Sequence, residues 1–149
     1  MPIMPLKRPF DRYASLAWTT SVSILALEKI GRGKAPREEE KKALQKLAAE
    51  FQLLSESTKI TVDQISGEES RNLTPELVEG FFTLTEIEEA SSNPIPEAQL
   101  RQAGIDLQAV RHSADSPKDV DPTVISRAQE ACMQLLSRID MLRPEIVTP

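Results

Sequence analysis

The sequence predicts an all-α protein: a compact single-domain bundle of four long helices, at about 11–31, 36–55, 75–90 and 122–143, with two or three short helices. Three observations carry that expectation. Apolar residues recur at helical spacing through each long segment, Pro and Gly punctuate the gaps, and no run alternates as a half-buried strand would. At 149 residues, with 40% hydrophobic and 28% charged side chains, the chain can build one core and is far from the composition of disorder. Aromatics at 4% leave that core mainly to Leu, Ile, Val and Ala.

Residues 1–10, MPIMPLKRPF, carry Pro2, Pro5 and Pro9 and read as an extended Pro-rich arm. Its Ile3, Met4, Leu6 and Phe10 could be buried on the bundle or on a partner. The bundle domain follows over 11–143, and 144–149 is a tail. Asp11 is a suitable N-cap for the first helix, and Gly31 or Gly33 ends it. Between them, Tyr13 to Leu27 contains no charged side chain and the only Trp. Tyr13, Leu16, Thr20, Ile24 and Leu27 form one stripe, and Ala14, Trp18, Val22 and Leu25 a second. The third face is the small one, Ser15, Thr19, Ser23 and Ala26. Such a helix is expected to be buried on most of its circumference.

The second helix is expected to open with Pro36 in its first position and Glu38, Glu39 and Glu40 near the positive end of its dipole. Leu44, Leu47, Phe51 and Leu54 give it one core-facing seam. Thr61 and Gln64 fit a capping box for a short turn ending at Gly67. Thr74-Pro75-Glu76 starts the third long helix, whose Leu77, Val78, Phe81, Phe82, Leu84 and Ile87 form a broad apolar arc. Gly80 in its middle suggests a close approach by another backbone. A short helix from Pro96 to Ala103 is expected to close at Gly104, with a further turn from Asp106 to Arg111. Asp121-Pro122 opens the last helix, Ile125, Ala128, Cys132, Leu135, Ile139 and Leu142 keep its seam, and Pro144 is expected to stop it.

Function is much less legible. The net charge of −5 argues against a protein devoted to neutralising phosphates, but the charge is uneven: +4 over residues 1–42, −8 over 43–100 and −1 over 101–149. His112 is the only histidine, and Cys132 the only cysteine, set in an apolar seam. Zinc spacing and histidine-containing di-iron sites are therefore excluded, and a Cys–His or Ser–His pair would have to use His112, which reads as a solvated loop residue beside a polar segment. GRGKAP lacks the spacing of a phosphate loop, so no catalytic residue, metal or cofactor is assigned.

The uncharged stretch is too short to span a bilayer, which takes about 20 apolar residues. Prolines upstream and the lack of an Ala-x-Ala site after Leu27 argue against a signal peptide. A single Cys fits a reducing compartment. The expectation is a cytoplasmic, non-catalytic interaction protein, an accessory or adaptor subunit without membrane contact, for which a homodimer is also open. Candidate protein-binding residues are Phe10, Glu79, Glu86, Glu88 and Glu89. The alternative is a nucleic-acid-associated subunit touching phosphates through Lys29, Arg32, Lys34, Arg37, Lys41 and Lys42 at the first helix–helix corner. A second alternative is a Mg²⁺-dependent hydrolase using the helical pairs Glu76/Glu79 and Glu86/Glu89, which would need carboxylates from a facing helix.

Overall fold

A computed structural model describes the backbone of residues 4–67 and 73–147 and the side chains of residues 12–65 and 73–142. Among the described residues six α-helices follow one another: α1 (Met4–Gly31), α2 (Glu38–Ser57), α3 (Val62–Ser66), α4 (Pro75–Ser91), α5 (Glu97–His112) and α6 (Pro122–Val147). A 3-10 turn at Pro117–Asp119 precedes α6, and no strand occurs among the described residues. The protein is an all-α bundle, with five long helices in place of the four expected.

Side-chain pairs fix how the helices run. Arg12 meets Glu50 and Lys29 meets Glu40, so α1 and α2 are antiparallel. Gly104 lies on Ala48, and Glu97 accepts from Ser55, so α5 runs antiparallel to α2. Asp106 meets Arg127, and Arg138 reaches back to Asn93 just before α5, which sets α6 antiparallel to α5. Finally Gly31 packs on Ile125 and closes α6 against α1. The result is a four-helix ring of α1, α2, α5 and α6. Helix α4 packs on α2 and α6 at the end where α1 begins and α2 finishes.

Local sequence explains most of these boundaries. At the end of α1, Gly33 adopts φ 78°, and the N–H groups of Gly33 and Lys34 bond the Ile30 and Lys29 carbonyls. That is the Schellman pattern, and it needs glycine because of the positive φ. Thr61 accepts from the Gln64 N–H at 3.3 Å while the Gln64 side chain accepts from the Thr61 N–H at 2.9 Å. Thr74 accepts from the Leu77 N–H at 3.1 Å with Pro75 at the first helical position. All six seam residues of α6, Ile125 to Leu142, are buried, as are Leu44, Leu47, Phe51 and Leu54 of α2.

Four boundary expectations need correction. Helix α1 begins at Met4, so residues 4–10 are helical and not an extended arm. Pro5 falls in the first turn, where N–H groups have no helical partner, and Pro9 removes one bond from a 28-residue helix. Pro36 lies before the α2 N-cap, Arg37, and not inside the helix. The two short segments expected around Gly104 are one helix, α5, because Gly104 is held in mid-helix by its contact with α2. Helix α6 passes Pro144 and ends at Val147, a long helix propagating past a single missing donor.

The fifth correction concerns α1 itself. Its buried residues are Tyr13, Leu16, Ala17, Thr19, Thr20, Ser23, Ala26, Leu27 and Ile30, so most of the small face points inward along with the first stripe, while Ser15 stays exposed. The second stripe turns outward: Trp18 is 61% and Leu25 53% exposed. Helix α1 is therefore a wall of the ring and not its centre. Small side chains win the inner position because they let neighbouring helices approach closely, while the Thr20 hydroxyl is satisfied by the Leu16 carbonyl at 2.7 Å.

Candidate functional site

The corner between α1 and α2 gathers the cations marked in the sequence, and the fold already uses part of them. Lys29 Nζ donates to Glu40 Oε1 at 2.9 Å, and the same oxygen accepts the Arg37 backbone N–H at 2.7 Å. Arg37 Nε stands 3.8 Å away. Burial opposes ionisation of Glu40, but the Arg37 N–H, the Lys29 hydrogen bond and the two cationic charges together outweigh it. They hold the Glu40 carboxyl below its ordinary 4.5. Lys41 pairs with Asp115, beyond the end of α5, and lies 3.7 Å from Glu38. The hydrogen bond that Lys41 donates to Asp115 raises the Lys41 pKa and lowers that of Asp115. Arg32, Lys34, Arg37 and Lys42 remain exposed. Two cations absent from the sequence reading join this end: Lys118 beside Gly33, and Arg111 within electrostatic reach of Lys41. Only folding makes them neighbours.

A second cluster lies where α1, α2 and α4 meet. Arg12 binds Glu50 at 2.6 Å, Glu79 at 3.2 Å and the Thr83 hydroxyl at 2.9 Å. Beside it, the Tyr13 hydroxyl donates to Glu86 at 2.9 Å, and burial followed by the Glu86 contact raises the Tyr13 pKa. Ser15, Thr19 and Lys46 complete a cleft of about 230 Å³. Ionisable groups from three helices thus converge at an open cleft. Their chemistry is internal, however. The guanidinium already fills the space between Glu50 and Glu79, and the Glu79 side chain is 54% exposed. Among the described residues no group of three or more His, Cys, Asp or Glu side chains is arranged to hold a metal ion. Of the other protein-binding candidates, Glu88 is half-buried, Glu89 is exposed, and the Phe10 side chain lies outside the described residues.

The third feature was not foreseen. Asp106, buried on α5, accepts from Arg127 Nε and Nη2 at 2.7 and 2.9 Å and from Gln102 at 2.9 Å. Next to this pair, α5 and α6 leave a cleft of about 260 Å³ floored by Phe51, Ile95 and Ala103 and rimmed by Gln99, Gln134 and Glu130. An Asp at a core-facing position of α5 was the available signal, hidden because the segment read as two short pieces.

The outward stripe of α1 is the fourth feature. Ala14 and Val22 flank Trp18 and Leu25, and no charge interrupts the helix between Arg12 and Glu28. Large aromatic groups left in water at the middle of an uncharged helical face mark a contact surface more strongly than scattered exposed leucines do.

No protein-family profile matches this chain, and no curated protein and no solved structure is significantly similar to it.

Proposed function

We propose that this chain is a non-catalytic helical interaction protein, an accessory or adaptor subunit of a larger cytoplasmic assembly, with the outward face of α1 as its main docking surface. The observation that carries the reading is Trp18, 61% exposed at the centre of an uncharged stripe that also exposes Leu25. Trp is the side chain most enriched at binding hot spots, because it brings large rigid area at little entropic cost. The polar clusters fit a scaffold: Arg12, Lys29, Lys41 and Arg127 are each committed to carboxylates of the same chain. Cys132 fits core filling, since burial pushes its thiol up to about 12. No helix among the described residues is long and apolar enough to cross a membrane.

The experiment is affinity capture from the native host with the wild type and with Trp18→Glu. A defined partner should be recovered and then lost with the substitution. Capture of the same proteins by both forms removes the reading.

The exposed cations Arg32, Lys34, Arg37 and Lys42 favour a second reading, contact with nucleic-acid phosphates at the first corner. A random oligonucleotide should then bind with a steep salt dependence that flattens when Lys34 and Arg37 are neutralised. Absence of binding at low ionic strength eliminates it.

A further inference from the structure

Beside the Asp106–Arg127 pair, the groove between α5 and α6 is left unfilled. Ala98 and Ala103 on α5 and Ala131 on α6 are too short to meet across it, and Phe51 of α2 closes the bottom. The space opens to water past exposed Ala98, while Phe51, Ile95 and Ala103 beneath are buried. A Leu at position 98 would fill part of it, so the open cleft forgoes apolar burial that the fold could have had.

The rim of the cleft carries one charge that the chain does not answer. Arg127 is held by Asp106 through two hydrogen bonds, and Asp121 is a further acidic group acting on it. Glu130 stands three residues on along α6, exposed at the rim, and among the described residues no cation or donor is bonded to its carboxylate. Gln99 and Gln134 stand with it. The Asp106–Arg127 and Asn93–Arg138 contacts fix the register of the antiparallel pair and set Gln99 opposite the turn that carries Glu130 and Gln134. Neither glutamine side chain has a hydrogen-bond partner among the described residues, so each amide oxygen is available to the cleft.

We propose that this cleft binds a small organic cation, a primary ammonium group carried on an apolar body. The body rests on Phe51, Ala98, Ala103 and Ala131. The ammonium sits at the rim, where its three N–H donors match the Glu130 carboxylate and the amide oxygens of Gln99 and Gln134. At about 260 Å³ the space falls below the roughly 300 Å³ at which pockets for drug-sized molecules begin, so a single ring or a short chain is the fitting size. Other head groups match less well. A carboxylate would meet Glu130 without an unspent positive charge, because Asp106 offsets Arg127. A quaternary ammonium needs a cage of aromatic faces, and Phe51 is the only ring lining the cleft among the described residues. The site shares no residue with the α1 stripe and stands whether or not that face docks a partner.

The test is an amide NMR titration of the full-length, nitrogen-labelled protein with phenethylamine. Three further compounds keep its body and change its head: phenethyl alcohol, phenylpropionate and the trimethylammonium derivative. The amine should shift the backbone amides of Ala98 and Ala131 and the side-chain amides of Gln99 and Gln134, saturating by about 10 mM. The other three should bind at least about tenfold more weakly, and so should the amine to Glu130→Gln, which loses the charge-assisted contact. Ala98→Leu should abolish the shifts at Gln99 and Gln134 with its thermal midpoint unchanged or raised, which separates loss of the space from loss of the fold.

The absence of any saturable shift overturns the inference. So does an alcohol or quaternary analogue that binds as well as the amine, the behaviour of a merely apolar hollow. Tighter binding of phenylpropionate would hand the head group to Arg127 and overturn it too. Shifts that survive Glu130→Gln, or a folded Ala98→Leu, would be diffuse attraction to an acidic chain and end the proposal.

Discussion

Gly104 of α5 and Ala48 of α2 touch so closely that a Cβ built on Gly104 would stand 3.2 Å from the Ala48 carbonyl oxygen and 3.4 Å from the Gln52 nitrogen. Both opposing atoms are backbone inside a helix and cannot swing aside. In an isolated helix, Gly→Ala would gain about 1 kcal/mol. Here the gain is reversed by the clash, and Gly104→Ala should lose about 1–2 kcal/mol in denaturant unfolding, with Gly104→Val worse. A stabilised Gly104→Ala would mean that the α2–α5 contact is looser than the geometry shows.

Gly104 is also where local sequence pattern and tertiary packing part. A glycine after a short apolar run has the look of a C-cap, and only the opposing α2 backbone reveals that it permits helix contact instead. Capping residues such as Thr61, Thr74 and Gly33 were legible because their partners lie within five residues along the chain. The α6 seam was legible because its spacing repeats over five turns. The orientation of α1 was not, since two apolar stripes compete and the tie is broken by which face lets α2 and α6 come close. Arg12 with Thr83, and Asp106 with Arg127, are separated by 71 and 21 residues, so no local pattern announces them.

The Asp106–Arg127 pair should respond asymmetrically to truncation. Asp106 is buried whereas the Arg127 side chain is half-exposed. Removing the cation by Arg127→Ala leaves a buried carboxylate held by Gln102 and should be the more costly change. Asp106→Asn frees a guanidinium that can reach water and should cost less. Urea unfolding of both variants decides the order, and equal losses would show that the carboxylate finds other solvation.

Glu40 gives a pH dependence of defined sign. Its carboxyl titrates lower in the folded state than its ordinary 4.5, so the folded chain binds fewer protons there than the unfolded chain. Its contribution to stability is fully present above pH 4.5 and is lost as the pH falls through the folded-state value. Glu40→Gln should therefore be less stable than the wild type near neutrality, and the gap should shrink below pH 4.5. A gap that stays constant down to acid pH would assign the effect to packing and not to charge.

Cys132 provides a readout of core integrity. The thiol is fully buried on the α6 seam, and burial pushes it up to about 12, so at pH 8 almost no thiolate is present and none is accessible. Native protein should react with a chromogenic disulfide reagent only at the rate of opening, whereas denatured protein should titrate one thiol at once. Because the α6 seam packs against α1, Leu135→Ala should both cost about 2–5 kcal/mol and accelerate labelling in proportion to the open population. Rapid labelling of the native wild type would mean that α6 leaves the ring far more often than its packing allows, and the placement of Cys132 in the core would be wrong.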